Sequence, residues 1–191
     1  MPLKELREIK GGAELGIWKL TERVSELESL MSEEVATEKY KRFNHDLRRL
    51  EWLGARALMS KMGLKKTLQY TEHGKPFYPS GPKISISHSK DFIAIIVHPE
   101  NEVGIDVQEV VDKVRRIKHK FCNAHELDWA TSDEDFTIIW SAKEALFKVK
   151  ERNVLFKEDI QVSRPENGQL HITYKESQAY SGVLLNLKDY E

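Results

Sequence analysis

Apolar and polar positions alternate in ways that divide the chain into readable segments. Residues 14–20 (ELGIWKL) alternate with roughly the period of two that marks a strand. From residue 21 to about 62 the text is charged, rich in Leu, Ala, Arg and Glu, and free of proline, which predicts helix. Its most amphipathic stretch is 48–63, where Leu50, Leu53, Ala57 and Leu58 recur at helical spacing and Gly63 offers a stop. Residues 73–82 (HGKPFYPSGP) have the composition of a loop. Three strand-like segments follow. Residues 84–88 alternate, with Ile84, Ile86 and His88 on one face. Residues 92–97 are continuously apolar, which predicts a central strand buried on both faces. Residues 103–108 alternate again. The short runs SKD (89–91) and HPEN (98–101) predict a hairpin on each side of the central strand.

Further along, 113–130 reads as one or two short helices. Ser132, followed by Glu134 and Asp135, predicts a capped start for a helix reaching about residue 150. The tail reads as strands (DIQVS, QLHITYK and YSGVLLNL) with a turn at PENG, 165–168. Helices mixed with mostly antiparallel strands define an α+β class. The text contains no repeat and no low-complexity segment. A division near Pro99–Val103 splits the chain into an N-terminal half, 1–102, and a C-terminal half, 103–191.

Composition narrows the function classes. The chain has 191 residues, 40% hydrophobic and 32% charged, the balance of a folded domain with a real core. Thirty Lys and Arg against thirty-one Asp and Glu give a formal net charge of -1, which argues against a nucleic-acid partner. The longest apolar run, 92–97, is too short to span a bilayer, so no membrane partner is expected. The N-terminal MPLKELREIK lacks the apolar segment of a secretory signal. A single cysteine, Cys122, excludes an internal disulfide and a multi-cysteine zinc site. A cytoplasmic location is the resulting expectation.

Four places could hold chemistry. The 103–108 segment would put Gly104, Asp106 and Gln108 on one strand face: an acid inside an apolar strand, with a glycine beside it that leaves room for a ligand. The bland alternative is a surface edge. On the helix after Ser132, Phe136, Ile139, Trp140, Leu146 and Phe147 form an apolar arc with Lys143 near its middle and Glu144 at its edge. Either Lys143 snorkels and Glu144 pairs with Lys148, or these groups face a cleft. His88, between Ser87 and Ser89, is either structural or a phosphate contact. The run KVRRIKHK (113–120) holds five Lys and Arg and no acid; it is a solvated face or a docking site for an acidic partner.

Taken in order, GKP (74–76), ISISHS (84–89), VGIDVQ (103–108) and WSAKEALFK (140–148) resemble the 4′-phosphopantetheinyl transferase superfamily, over about residues 40–165. The length resembles its surfactin-synthetase-activator type, in which two similar α+β halves with mostly antiparallel sheets are related by a pseudo-two-fold axis. The resemblance implies an enzyme that moves the 4′-phosphopantetheine arm of coenzyme A onto a serine of an apo carrier protein and releases 3′,5′-adenosine bisphosphate. It implies Mg²⁺ held by Asp106 and Glu144, with Lys148 beside the phosphates. Ser87, His88 and Lys75 match coenzyme A contacts, with the histidine at the 3′-phosphate. An arginine of the preceding helix joins it, from among Arg48, Arg49 and Arg56, and Lys143 is counted with these contacts. Many relatives carry a second acid where Gln108 stands; a neutral residue there implies a metal shell completed by water. Arg115, Arg116, Lys120 and Phe121 lie where the family docks its carrier. The reading is thus of a monomeric enzyme. Its alternatives are a non-catalytic coenzyme A or nucleotide-binding module of the same fold, and a protein-interaction domain.

Overall fold

The computed structural model describes residues 2–9, 11–65 and 67–190. The class is α+β with antiparallel sheets. The chain divides into two units, Met1–Val107 and Gln108–Glu191, where the sequence reading set the division after residue 102. Among the described residues no helix is long and apolar enough to cross a membrane.

The first unit runs β1 (Leu3–Ile9), β2 (Ala13–Lys19), α1 (Val24–Leu30), α2 (Ser32–Val35), α3 (Glu38–Lys41), α4 (Asp46–Lys61), β3 (Gln69–Tyr70), β4 (Pro76–Phe77), β5 (Lys83–Ser89) and β6 (Phe92–His98). Its main sheet has the order β1-β2-β6-β5, antiparallel throughout. The apolar run 92–97 is the interior strand β6, and each of its residues is buried. Helix α4 lays Leu53, Ala57, Leu58 and Met59 against Ile84, Ile93, Ile95 and Val97 of the sheet. Each fully buried Leu or Ile there contributes roughly 1.5–3 kcal/mol. The approach is close: a Cβ on Gly54 would stand 2.6 Å from Ile93 Cδ1 and from Leu20 Cδ2.

Register decides which way the functional side chains point. Ile84, Ile86 and His88 pair across from Val97, Ile95 and Ile93, so they share the face covered by α4. Ser85 and Ser87 pair with Ile96 and Ala94 and face the other way.

Two expectations for this unit are corrected. Residues 103–108 are not a strand. The backbone N–H groups of Ile105 and Val107 donate to Ser85 Oγ and Ser87 Oγ, at 3.2 and 3.1 Å, so serine hydroxyls two residues apart take up amides that a ladder would have given to carbonyls. The turn at 98–101 therefore does not lead into a second hairpin; its amides at Glu100 and Asn101 donate to His98 Nδ1. The helical text from 21 to 62 is divided among four helices. Met31 ends α1 and opens α2, and Thr37 Oγ1 caps α3 by accepting from Tyr40 N–H, before the sixteen-residue α4. Strand β1 goes unread in the sequence because this outer strand, half exposed, carries charge at most positions.

The second unit runs α5 (Asp112–Arg116), a 3₁₀ turn (Lys118–Lys120), α6 (Ala124–Trp129), α7 (Asp133–Lys150), α8 (Phe156–Asp159), β7 (Ile160–Val162), β8 (Gln169–Tyr174), β9 (Gln178–Val183) and a 3₁₀ turn (Leu187–Tyr190). Its antiparallel sheet has the order β7-β8-β9. Phe136, Ile139, Ala142 and Leu146 of α7 pack with Ile160, Val162, Leu170 and Ile172.

Helix α7 starts where the sequence placed it. Ser132 Oγ accepts from Asp135 N–H at 3.0 Å, and the Asp135 carboxylate accepts from the N–H groups of Ser132 and Thr131, both at 2.9 Å. Burial alone would raise the Asp135 carboxyl, but these bonds overcome it and hold it below the usual carboxylate range. Replacing Ser132 by alanine should cost about 1 kcal/mol. Asp135 adds a pH signature. Because its carboxyl is depressed in the folded state, its contribution is present above the unfolded carboxyl's titration and is lost as pH falls through the folded one. The stability gap between wild type and Asp135→Asn, read by denaturant unfolding, should therefore close in acid. A gap independent of pH would remove the charged cap from the account.

Candidate active site

Two corners of the first unit gather the sequence-derived candidates. In the first, half-buried Asp106 meets buried Ser87. Ser87 Oγ donates to Asp106 Oδ1 at 3.1 Å while accepting from Val107 N–H. The ISISHS and VGIDVQ segments are thus joined through the serine. Asp106 is held by a hydroxyl at the end of an ordered backbone run, with no strand pairing of its own.

In the second corner, Glu51 of α4 lies between Arg48 and His88. Its Oε2 accepts from Arg48 Nη1 and its Oε1 meets His88 Nδ1, both at 3.0 Å. Glu51 is mostly buried, whereas Arg48 and His88 are exposed. This distinguishes the three arginines. Arg49 donates its Nε–H to the Phe43 carbonyl at 3.1 Å and has Asp46 at 3.8 Å. Arg56 is buried: its guanidinium stacks 3.2 Å over Trp52 and donates to Tyr70 Oη at 2.9 Å. Arg48 is the arginine that shares a partner with His88. Ser87 and His88, grouped together by the sequence reading, point to opposite faces of β5 and so belong to different corners.

Lys75 lies in the turn before β4, and its Nζ donates to Glu102 at 3.0 Å; Lys83 reaches the same carboxylate at 3.1 Å. Burial would raise the Glu102 carboxyl, but the two ammonium groups outweigh it and hold the carboxyl below its usual range.

In the second unit, α7 carries Glu144 and Lys148 one turn apart, both half-buried. Gln108 opens this unit, half-buried and outside any strand. Lys143 is placed differently from a ligand contact. It is fully buried, and its Nζ donates to Glu126 Oε2 and the carbonyls of Phe121 and Phe156 at 2.7 Å, and to the Ile160 carbonyl at 2.9 Å. Those oxygens occupy the ammonium and leave no exposed donor for coenzyme A. Glu126 also accepts from the N–H groups of Asn123 and Val162, both at 2.9 Å. Burial pushes the Glu126 carboxyl up and the Lys143 ammonium down, and each charge opposes the shift of the other. Cys122 is buried beside them, its thiol pushed up to about 12 chiefly by burial, so it is no nucleophile.

The basic run spans α5 and the 3₁₀ turn after it. Arg115 is exposed with Asp133 at 3.6 Å, Arg116 is exposed and paired with Asp112, and Lys120 is exposed. Phe121 is not on this surface: it lies in the core, edge-on to Trp140 at 5.1 Å.

The donor chemistry for a metal is modest. Among the described residues no group of three or more His, Cys, Asp or Glu side chains is arranged to hold a metal ion. Magnesium usually takes one or two carboxylates and completes its shell with water and substrate phosphates, and Asp106 and Glu144 are carboxylates of that kind.

Residues 102–190 match the family model of the 4′-phosphopantetheinyl transferase superfamily. The matched segment contains Asp106, Gln108, the basic run and all of α7. The 4′-phosphopantetheinyl transferase AcpT of Escherichia coli (strain K12) is 35% identical over 114 residues, which is 53% of this chain and 57% of that protein. The 4′-phosphopantetheinyl transferase AcpT of Salmonella typhimurium is 30% identical over 115 residues, 53% and 59% of the two chains. The matched stretch thus spans little more than half the length of each relative.

Sequence reasoning missed Glu51, Glu102 and Glu126. Glu102 and Glu126 are acids whose cations come from distant segments, and Glu51 meets His88 from β5. Only Glu51 carried a local signal, three residues after Arg48 on a helix.

Proposed function

We propose that this protein transfers the 4′-phosphopantetheine arm of coenzyme A to a serine hydroxyl of an apo carrier protein. The observation that carries the reading is the superfamily match over the stretch that contains Asp106 and α7. The joining of Ser87 to Asp106 and the pairing of His88 with Arg48 through Glu51 support it.

In this reading Arg48, His88 and Lys75 bind the nucleotide end, the first two at the 3′-phosphate, and Ser87 keeps Asp106 in place. Asp106 and Glu144 would hold Mg²⁺, with Gln108 acting through a water. The ion, when bound, offsets the charge of the pyrophosphate. Glu144 takes the proton of the carrier serine, whose oxygen bonds to the phosphorus nearer the pantetheine. The bond from that phosphorus to the bridging oxygen breaks, and 3′,5′-adenosine bisphosphate leaves with Lys148 near its developing charge. The superfamily resemblance brings with it a cytoplasmic monomer.

Incubation with coenzyme A, Mg²⁺ and an apo carrier should raise the intact mass of the carrier by one arm, and a chelator should prevent it. Binding of coenzyme A without any mass change would instead indicate a non-catalytic module.

The exposed arginines of α5 are the proposed attraction for an acidic carrier surface. Arg115→Glu with Arg116→Glu should raise the carrier KM and leave that of coenzyme A unchanged. The difference from wild type should fade as salt shortens the Debye length to about 3 Å at 1 M. A change confined to coenzyme A would move docking elsewhere.

A further inference from the structure

Glu51 is an acid in the middle of the group that the proposed function assigns to a phosphate, and that position needs a physical reason. A carboxylate near a bound dianion repels it, so its presence lowers affinity unless it does something for Arg48 and His88. The geometry shows what it can do. One oxygen takes Arg48 Nη1 and the other takes His88 Nδ1, each at 3.0 Å, from a side chain only 12% exposed. The two side chains come from different elements, Arg48 from α4 and His88 from the end of β5. Both side chains are long or rotatable and largely exposed, so neither would hold one direction alone.

Glu51 takes up one of the five N–H groups of Arg48 and leaves the rest. On His88 it engages Nδ1, which fixes the ring and turns Nε2 away from the carboxylate. Its stem is fixed in turn, because α4 is anchored to the sheet by Leu53, Ala57 and Leu58.

We infer that Glu51 is a positioning residue: it aligns Arg48 and His88 so that the remaining guanidinium N–H groups and the imidazole Nε2 edge converge on a phosphate monoester, and so sets the preference for coenzyme A over its 3′-dephospho form. This rests on the reading of His88 and Arg48 as the 3′-phosphate contacts.

The test is calorimetry on the full chain with coenzyme A and with dephospho-coenzyme A. The variants are Glu51→Ala, Glu51→Gln, His88→Ala and the double variant Glu51→Ala/His88→Ala. Glu51→Ala should lose about tenfold in coenzyme A affinity, with dephospho-coenzyme A changed by less than about twofold. In the His88→Ala background the same substitution should cost much less, because the group it aligns is gone. Glu51→Gln keeps one acceptor and should fall between; it also serves if the alanine variant melts early. Unchanged or tighter coenzyme A binding in both Glu51 variants would overturn the inference, since Glu51 would then be only a competitor of the phosphate. Equal losses for both ligands in folded protein would also overturn it, placing the effect in the helix. If the wild type itself does not prefer coenzyme A, the phosphate reading falls and this inference falls with it. That result is distinct from a wild-type preference that survives intact in Glu51→Ala.

Discussion

On the proposed role of Asp106 as a metal-holding carboxylate, Asp106→Ala is expected to lower transfer by on the order of a thousandfold or more. The fold should survive the change. Asp106 accepts a hydrogen bond from Ser87 Oγ, and a bond of that kind is worth about 1 kcal/mol net. The Val107 N–H still has Ser87 as its acceptor, and the core under β5 is untouched. Asp106→Asn separates charge from shape, because its amide oxygen can still accept from Ser87. It should melt close to wild type and still be nearly inactive. Rates within about tenfold of wild type in both variants, at limiting Mg²⁺, would be too small for loss of a direct ligand and would take the metal away from Asp106.

The largest stability effect is expected from Lys143→Met. Removing one partner of a buried pair typically costs 3–5 kcal/mol, because the other charge is left in a dry interior. Here the cost reaches further than Glu126. The same ammonium satisfies carbonyls of Phe121, Phe156 and Ile160, so its loss loosens the loop before α6, helix α8 and the first residue of β7 together. Against a typical domain stability of about 5–15 kcal/mol, that is a large share. The sign of its pH dependence follows from Glu126. Burial already pushes this carboxyl up, and without Lys143 its main opposing charge is gone. A raised carboxyl contributes stability that is full below its unfolded titration and is lost as pH rises through the folded one. The deficit of Lys143→Met should thus shrink on acidification toward the ordinary carboxylate range. Glu126→Gln added to Lys143→Met should cost much less than Glu126→Gln alone. Additive losses, or a Lys143→Met deficit under about 1 kcal/mol, would contradict a coupled buried pair.

Lys143 also shows where the sequence stops being legible. Its spacing put a lysine in the middle of an apolar arc, which demanded a partner or an opening. The partner is Glu126, seventeen residues away, and no periodicity points to it. Phe121 follows the same logic: beside a basic run it reads as a docking residue, but a large aromatic next to α7 is worth more in the core than on the surface. Elements with strong periodicity and local caps were readable, as with the apolar strand β6 and the helix after Ser132. Segments whose hydrogen bonds go to side chains were not: residues 103–108 alternate like a strand, but the hydroxyls of Ser85 and Ser87 receive their amides. The split of Ser87 from His88 was implicit in the period of two along β5. It became meaningful only once α4 was seen to cover one face and Asp106 to meet the other.

The account rests on one chemical event, the movement of an intact phosphopantetheine arm, and its two products can be counted in one reaction. With coenzyme A, Mg²⁺ and an apo carrier, the 3′,5′-adenosine bisphosphate released should equal the carrier serine modified, mole for mole. Both should vanish when that serine is replaced by alanine. Nucleotide release without carrier modification, or no turnover with any apo carrier under conditions where coenzyme A binds, would contradict it.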